Sequence, residues 1–364
     1  MTEKVVGLAL SGGGSRAAAF HLGCMRALHD LDLLDRVRVV SGVSGGSLLA
    51  ALWAYGPSDF DEFDETTVHL LRRGLSGAIL RRVFHPGTAA RNLATAVWVV
   101  ASRALGPIRP EVLRPANRTD GLASALLETV IGSKTMSEVT HEGLDVVLTA
   151  TDLRTGGAVR FGSARSSCSR FGTIVEPVLV ATAVAASAAF PVLLPAIERT
   201  FTFSRNGHES REAVLLSDGG LYDNLGLSVL EPGRSSDFTP HVYDVSYIVS
   251  CDAGRGEMRL RTPHFLPGRL TRSFDVVHGR AQNGGRARLH EWTASGVLDG
   301  FAMAYLGMRD ERLPFPIADL VPRQEVATYP TNFSPMTEQD IELLSDRGEQ
   351  LLRGLLPLYC PELI

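Results

Sequence analysis

The sequence predicts an α/β fold: a mostly parallel central sheet with helices on both faces, three layers in all, in one domain over residues 1–364. Three observations carry this. Apolar runs of strand length pass through glycine-rich turns into helical periodicity at residues 5–30, and again at 37–55. Further apolar runs at 145–150, 213–216 and 245–250 end in turns built from Ser, Thr, Asp and Gly. Strands alternating with helices at this spacing bury a parallel sheet between helical layers.

The elements follow in order. Residues 5–10 form a short apolar strand, suited to a position covered on both faces. Ser11-Gly12-Gly13-Gly14 is a turn, and 16–30 a helix, with Ala19, Phe20, Gly23, Cys24, Ala27 and Leu28 on one face. Residues 37–40 form a second strand that runs into Gly42-Val43-Ser44-Gly45-Gly46. A second helix, 47–55, stops at Gly56-Pro57. Residues 59–120 break the rhythm and read as a helical, basic insertion or lid packed over the core. The pattern resumes with a strand at 145–150 and a hairpin partner at 158–161. The 21 uncharged residues 177–197 invite a membrane reading, but Pro191 and Pro195 would break a spanning helix, so a buried helix over 178–188 is expected. Residues 199–212 read as a charged, variable segment. The tail closes with a helix after Thr337, its apolar face being Ile341, Leu344, Leu351, Leu352 and Leu355.

Composition narrows the function. Apolar residues at 45% and charged residues at 21% exclude disorder as the main theme, and a net charge of −4 argues against nucleic acid as a partner. Lysine occurs only at Lys4 and Lys134, neither beside a nucleophile, which disfavours a catalytic lysine. Cys24, Cys168, Cys251 and Cys360 have no metal-ligand spacing and read as reduced, buried thiols, so no metal and no disulfide framework is expected. With neither a signal-peptide core nor a spanning helix in view, a cytoplasmic protein is expected.

Gly42-Val43-Ser44-Gly45-Gly46 fits G-x-S-x-G between a strand and a helix. Such a turn strains its central residue, and flanking glycines remove the side chains that would clash. Ser44 would then stand exposed at the sheet's carboxyl edge, in front of a helix N-terminus whose free N–H groups favour an oxyanion. Gly12, Gly13 and Gly14 open the first helix. A dinucleotide loop would need an acid at the end of the second strand, where Val40-Ser41-Gly42 stands, and a Walker loop would need Gly-Lys-Ser/Thr. What remains is a nest of backbone N–H groups, suited to an oxyanion. The serine needs a base. His241, His264, His278 and His290 are candidates for a triad, while Asp218, followed by Gly219 and Gly220 at a strand end, is the candidate for a dyad. Spacing alone does not choose between them.

Taken together, the blocks resemble the patatin-like phospholipases, lipid acyl hydrolases with a Ser–Asp dyad. The blocks are Leu10-Ser11-Gly12-Gly13-Gly14-Ser15-Arg16, the Gly42-to-Gly46 elbow, Ala186-Ser187-Ala188-Ala189-Phe190-Pro191 and Asp218-Gly219-Gly220. Cys251-Asp252-Ala253-Gly254 and Thr331-Asn332-Phe333 are also similar, so the likeness runs from about residue 5 to 355. The family's glycine motif usually ends in Gly where this chain has Ala17, a change that a helix interior tolerates. The resemblance implies Ser44 as nucleophile, Asp218 as base, and an oxyanion hole from the backbone of Gly12, Gly13 and Gly14. It also gives Gly42, Gly45, Gly46, Gly219 and Gly220 supporting roles, and has Arg16 bracing the glycine loop or attracting anionic head groups. It implies no cofactor and no metal, and a phospholipid or other fatty-acyl ester as substrate.

One hint about the membrane is independent of the resemblance. Residues 66–118 carry a net +8 and 255–288 a net +6. Such basic surfaces, the first with Leu93, Val97 and Trp98, could rest on anionic lipid. Solvated Arg balanced by acids elsewhere in the fold is the plainer alternative. Beside the hydrolase stand two other expectations: an acyltransferase using the same acyl-enzyme, and a non-catalytic lipid-binding regulator.

Overall fold

The computed structural model describes residues 4–83, 117–191, 193–256 and 265–364. One ten-stranded sheet organises them. Five strands run parallel in the order β10-β9-β1-β2-β3: β1 Val6–Leu10, β2 Val37–Val43, β3 Asp145–Asp152, β9 Tyr247–Asp252 and β10 Gly300–Tyr305. The chain then turns antiparallel through β4 Ala158–Gly162, β5 Ser167–Cys168, β6 Gly172–Ile174, β7 Ile197–Arg205 and β8 His208–Asp218.

The α/β architecture expected from the sequence is present, but parallel pairing covers only half of the sheet. The charged segment 199–212 is the main difference. It lies in a long β7–β8 hairpin whose outer part is solvent-facing, so its polar residues replace the apolar run that marks a covered strand.

The end of that hairpin returns to β3. Residues 145–149 of β3 pair with β2, and residues 150–152 pair with β8. Because β4 holds 147–151 on the other edge, β8 takes the edge that β2 has just left. Strands β3 to β8 therefore close into a ring, and the C-terminal ends of β2 and β8 meet on one strand.

Helices cover both faces. On one, α1 (Gly14–Asp30), α2 (Gly45–Tyr55) and the C-terminal helix, here α8 (Glu338–Tyr359), share a large core with α3 (Phe60–Arg73), α4 (Ser76–Val83), α5 (Arg118–Leu126) and α6 (Val180–Ser187). Phe63, Leu70, Leu71 and Ile79 lie in that core, so α3 and α4 are part of its packing. The rest of the expected insertion, 84–116 with Leu93, Val97 and Trp98, lies outside the described residues. Helix α6 matches the buried helix read at 178–188. Among the described residues no helix is long and apolar enough to cross a membrane. All four cysteines are buried and free.

The other face carries a smaller core of Val39, Val147, Leu225, Leu227, Leu230, Ile248 and Leu289. Leu289 comes from α7 (Leu266–Ala294), a helix of 29 residues that lies mostly in solvent. Among its exposed residues are Leu266, Leu270 and Val277 on one stripe, with Phe265 just before it.

Candidate active site

Ser44 follows β2 directly and precedes α2. Its backbone has φ 52° and ψ −117°, a region an L-residue enters only under strain. The glycines around it are forced by close backbone approach. A methyl on Gly45 would sit 2.1 Å from the Gly14 carbonyl oxygen, and one on Gly46 would sit 2.2 Å from that of Leu10. The elbow is thus pressed onto the end of β1. Gly42, paired with Leu10, backs onto Ser47 of the same elbow.

Asp218 ends β8. Since Val43 pairs with Thr149 and Asp218 with Ala150, the two strand ends come side by side. The Asp218 carboxyl is buried. Oδ1 accepts the Gly220 N–H at 2.7 Å, while Oδ2 is buried without a full hydrogen bond. Burial raises its pKa to about 6; the Gly220 N–H and the Ser44 side chain pull it back down. An apposed hydroxyl and a carboxyl held near neutrality form a pair able to pass a proton. Gly219 allows the turn to press against β3, where a methyl would stand 2.0 Å from the Thr149 carbonyl oxygen.

Ser187, at the end of α6, joins the two strand ends. Its hydroxyl donates to the Thr149 carbonyl at 2.6 Å and accepts the Ser44 N–H at 3.0 Å. With its single proton already given, it accepts from Ser47 Oγ at 2.7 Å. The Ser187 carbonyl accepts the Gly219 N–H at 3.1 Å. One fully buried serine therefore fixes both the elbow and the Asp218 turn. In the sequence Ser187 stands within the small-residue block 186–191, where no role is evident for it. The available signal was a hydroxyl at the end of a mostly apolar helix, where burial demands partners.

The glycine loop lies beside the elbow, because Leu10 pairs with Gly42 on one side and Cys251 on the other. The Gly12 N–H donates to the Asn224 carbonyl at 3.0 Å. Gly13 and Gly14 have φ 155° and 64° and open the first turn of α1. Arg16 is buried against this loop. It donates to the carbonyls of Ala253 and Tyr329 at 3.1 and 2.8 Å, and to Thr331 Oγ1 at 2.8 Å. Burial and the nearby Arg255 pull its pKa down to about 9. The backbone just beyond, at Asn332, accepts the Ser15 N–H and packs on Gly14. Arg16 thus ties the loop to chain segments 253 and 329–331.

The histidines are engaged elsewhere. His241 bonds Ser167 Oγ at 2.9 Å, His278 stacks on Phe274, and His290 meets Phe301 edge-on. His264 lies outside the described residues. Among the described residues there is no cluster of three or more His, Cys, Asp or Glu side chains able to hold a metal ion.

Comparison with known proteins places the fold and the family. The structure resembles human GIVD cytosolic phospholipase A2, with a TM-score of 0.56 at 14% identity, covering 96% of this chain and 61% of that one. The same enzyme in complex with methyl γ-linolenyl fluorophosphonate and terbium chloride gives a TM-score of 0.53 at 16% identity, over 97% of this chain and 58% of that one. At this identity the likeness is one of fold. A patatin-like phospholipase domain-containing protein of Caenorhabditis elegans, ZK370.4, is 44% identical over 59 residues, which are 16% of this chain and 4% of that protein. The chain thus spans a small fraction of that relative and about three fifths of the solved enzyme. The family model for patatin-like phospholipases matches residues 8–230, a span that takes in the glycine loop, the elbow, Ser187 and Asp218. On that match, over more than half of its length, the chain belongs to the patatin-like phospholipase family.

Proposed function

We propose that this chain is a serine lipid acyl hydrolase, cleaving fatty-acyl esters of phospholipids or related lipids through a Ser44–Asp218 dyad. The observation that carries the reading is the shared edge of β3, with β2 ending one residue before Ser44 and β8 ending at Asp218. The Ser44 oxygen attacks the acyl carbonyl carbon while Asp218 takes the hydroxyl proton. The oxyanion is held by backbone N–H groups. Gly13 and Gly14 are the donors assigned here, since Gly12 already donates to Asn224. As the C–O bond to the alcohol breaks, Asp218 returns the proton to the departing oxygen. Water then attacks the acyl-enzyme, gives a proton to Asp218, and the fatty acid leaves as Ser44 recovers that proton. Burial favours this division of labour, since a carboxyl held near pH 6 is a stronger base than an exposed one.

Peripheral contact with a membrane belongs to the same reading. Leu266, Leu270 and Val277 of α7 and Phe265 just before it are exposed, next to Arg269, Arg272 and Arg280, a mixture suited to an anionic lipid surface. Arg259 and Arg261 of the same basic stretch lie outside the described residues.

The test is product analysis. The full chain, incubated with phosphatidylcholine vesicles doped with anionic lipid, should release free fatty acid and lysophospholipid in equal amounts, and Ser44→Ala should release neither. Equal release by Ser44→Ala would overturn the reading, and acyl groups appearing on an added lysolipid instead of in free fatty acid would make the chain a transferase.

A further inference from the structure

Behind the turn that follows Asp218 lies a cavity of about 340 Å³, within the ~300–1,000 Å³ range of small-ligand sites. Arg160, Ser228 and Arg234 line one side, and Phe274, Val277 and Gln282 of α7 the other. Arg160 is the unusual member. It sits on β4 between Val159 and Phe161, both of which face the large core, so alternation along the strand turns its side chain to the opposite face.

The other deeply buried arginines are better partnered. Arg347 donates to the carbonyls of Leu306, Val321 and Met308 and to the Asp310 carboxylate. Arg16 makes the three bonds described above. Arg160, only 6% exposed, makes one bond, from Nη2 to Ser228 Oγ at 3.3 Å, and its Nε has no partner. It makes no ion pair with a described acid.

The two acids that line the same cavity, Asp223 and Glu231, also hold other partners. Asp223 accepts the N–H groups of Leu225 and Ser228 at 3.2 and 2.6 Å, and Glu231 leans towards Arg288 at 3.9 Å. His241, beside Arg160, is held neutral by burial and by the same two guanidinium groups. Arg234 points into this space too, bonding the Ser228 carbonyl. Three guanidinium groups, Arg160, Arg234 and Arg288, therefore line one cavity against two carboxylates, Asp223 and Glu231, which leaves an excess of positive charge, and the Arg160 head makes a single bond. A buried cation in that state is costly, and an anion would relieve it.

We infer that this cavity binds a phosphate group, with Arg160 and Arg234 as its cationic ligands. A flat carboxylate satisfies one arginine fork, whereas a tetrahedral phosphate offers oxygens to two at once. Gly220 and Asn224 also line the cavity, so an occupant touches the turn that carries Asp218. The phosphate could be that of a lipid headgroup or a free ion. The assignment concerns binding and does not depend on the dyad.

Thermal unfolding of the full chain tests it, at constant pH and ionic strength, with inorganic phosphate, glycerophosphocholine or acetate added. The wild type should show a saturable rise in Tm of ~2–5 °C at high occupancy. Both Arg160→Gln and Arg234→Gln should lose it. Should Arg160→Gln fail to fold, the more accessible Arg234→Gln carries the test. A response to inorganic phosphate assigns the site to the free ion, and a response to glycerophosphocholine alone assigns it to a headgroup. No response to either, an equal response to acetate, or a response retained in Arg234→Gln would overturn the proposal.

Discussion

The parallel and antiparallel halves of the sheet contribute to the site in different ways. The parallel half, β1 and β2 with their helices, builds the elbow and the glycine loop from residues 5–55, where each strand runs through a tight turn into its helix. Its parts are local and rigidly packed: Gly45 and Gly46 leave no room for a methyl group. The antiparallel half delivers one residue, Asp218, and does so through a long-range closure, the return of β8 onto β3. In the proposed dyad, a nucleophile built from neighbouring residues thus depends on a base whose position is set by strand register. The joint between the halves is Ser187, which bonds to both.

The largest effect should come from removing what each half supplies. Ser44→Ala and Asp218→Asn should each lower kcat/KM for a fatty-acyl ester by ~10³–10⁶-fold, within the range for nucleophile and base deletions. A loss of less than tenfold for Asp218→Asn would mean that the antiparallel half does not supply the base. Next comes the joint. Ser187→Ala leaves the Ser44 N–H and Ser47 Oγ without their partner, and should cost ~1–3 kcal/mol of stability in denaturant titration. Because it loosens the apposition of two catalytic groups, kcat should fall ~10–100-fold. An unchanged kcat in the folded variant would remove Ser187 from the positioning of the site.

The pH profile sharpens the comparison further. Asp218 must be ionised to accept a proton, and its pKa is raised to about 6. Thus kcat/KM should fall about tenfold per pH unit below about 6 and level off above it. Stability runs the other way. The folded state binds the Asp218 proton more tightly than the unfolded state, so this residue's contribution is fully present below about pH 4 and is lost as pH rises through about 6. Asp218→Asn should therefore be more stable than the wild type at pH 8, by up to on the order of 3 kcal/mol, and should lose that advantage at pH 4. A wild-type advantage at pH 8 would contradict the burial of an ionised carboxylate. The smallest effect is expected at the histidines. His278→Gln and His290→Gln should each change kcat/KM by less than ~3-fold, since each ring packs on a phenylalanine.

The same division explains how much was readable in the sequence. The strand–turn–helix units around Gly12 and Ser44 were legible because short connections leave few geometries. The proposed partnership of Asp218 with Ser44 was not derivable from spacing, since 173 residues lie between them and strand register decides how near they come. Ser187 was hidden by its setting: in Ala183-Val184-Ala185-Ala186-Ser187, composition signals only a buried helix. Helix α7 was missed because arginines and Gly279, Gly284 and Gly285 interrupt its periodicity, and the helix is mostly exposed. Strand β10 was missed although its burial alternates, because Gly300-Phe301-Ala302-Met303-Ala304-Tyr305 shows no polar contrast between its faces.

The central claim is that register in the antiparallel half activates a hydroxyl built by the parallel half. It is tested most directly by the rate at which a labelled fluorophosphonate phosphonylates the protein with loss of fluoride, measured from pH 4 to 9 with the adduct mapped by mass spectrometry. The account predicts one adduct, on Ser44, whose rate rises through about pH 6 in the wild type and is slow at every pH in Asp218→Asn. An adduct on another residue, or equal labelling rates in the wild type and Asp218→Asn, would contradict it.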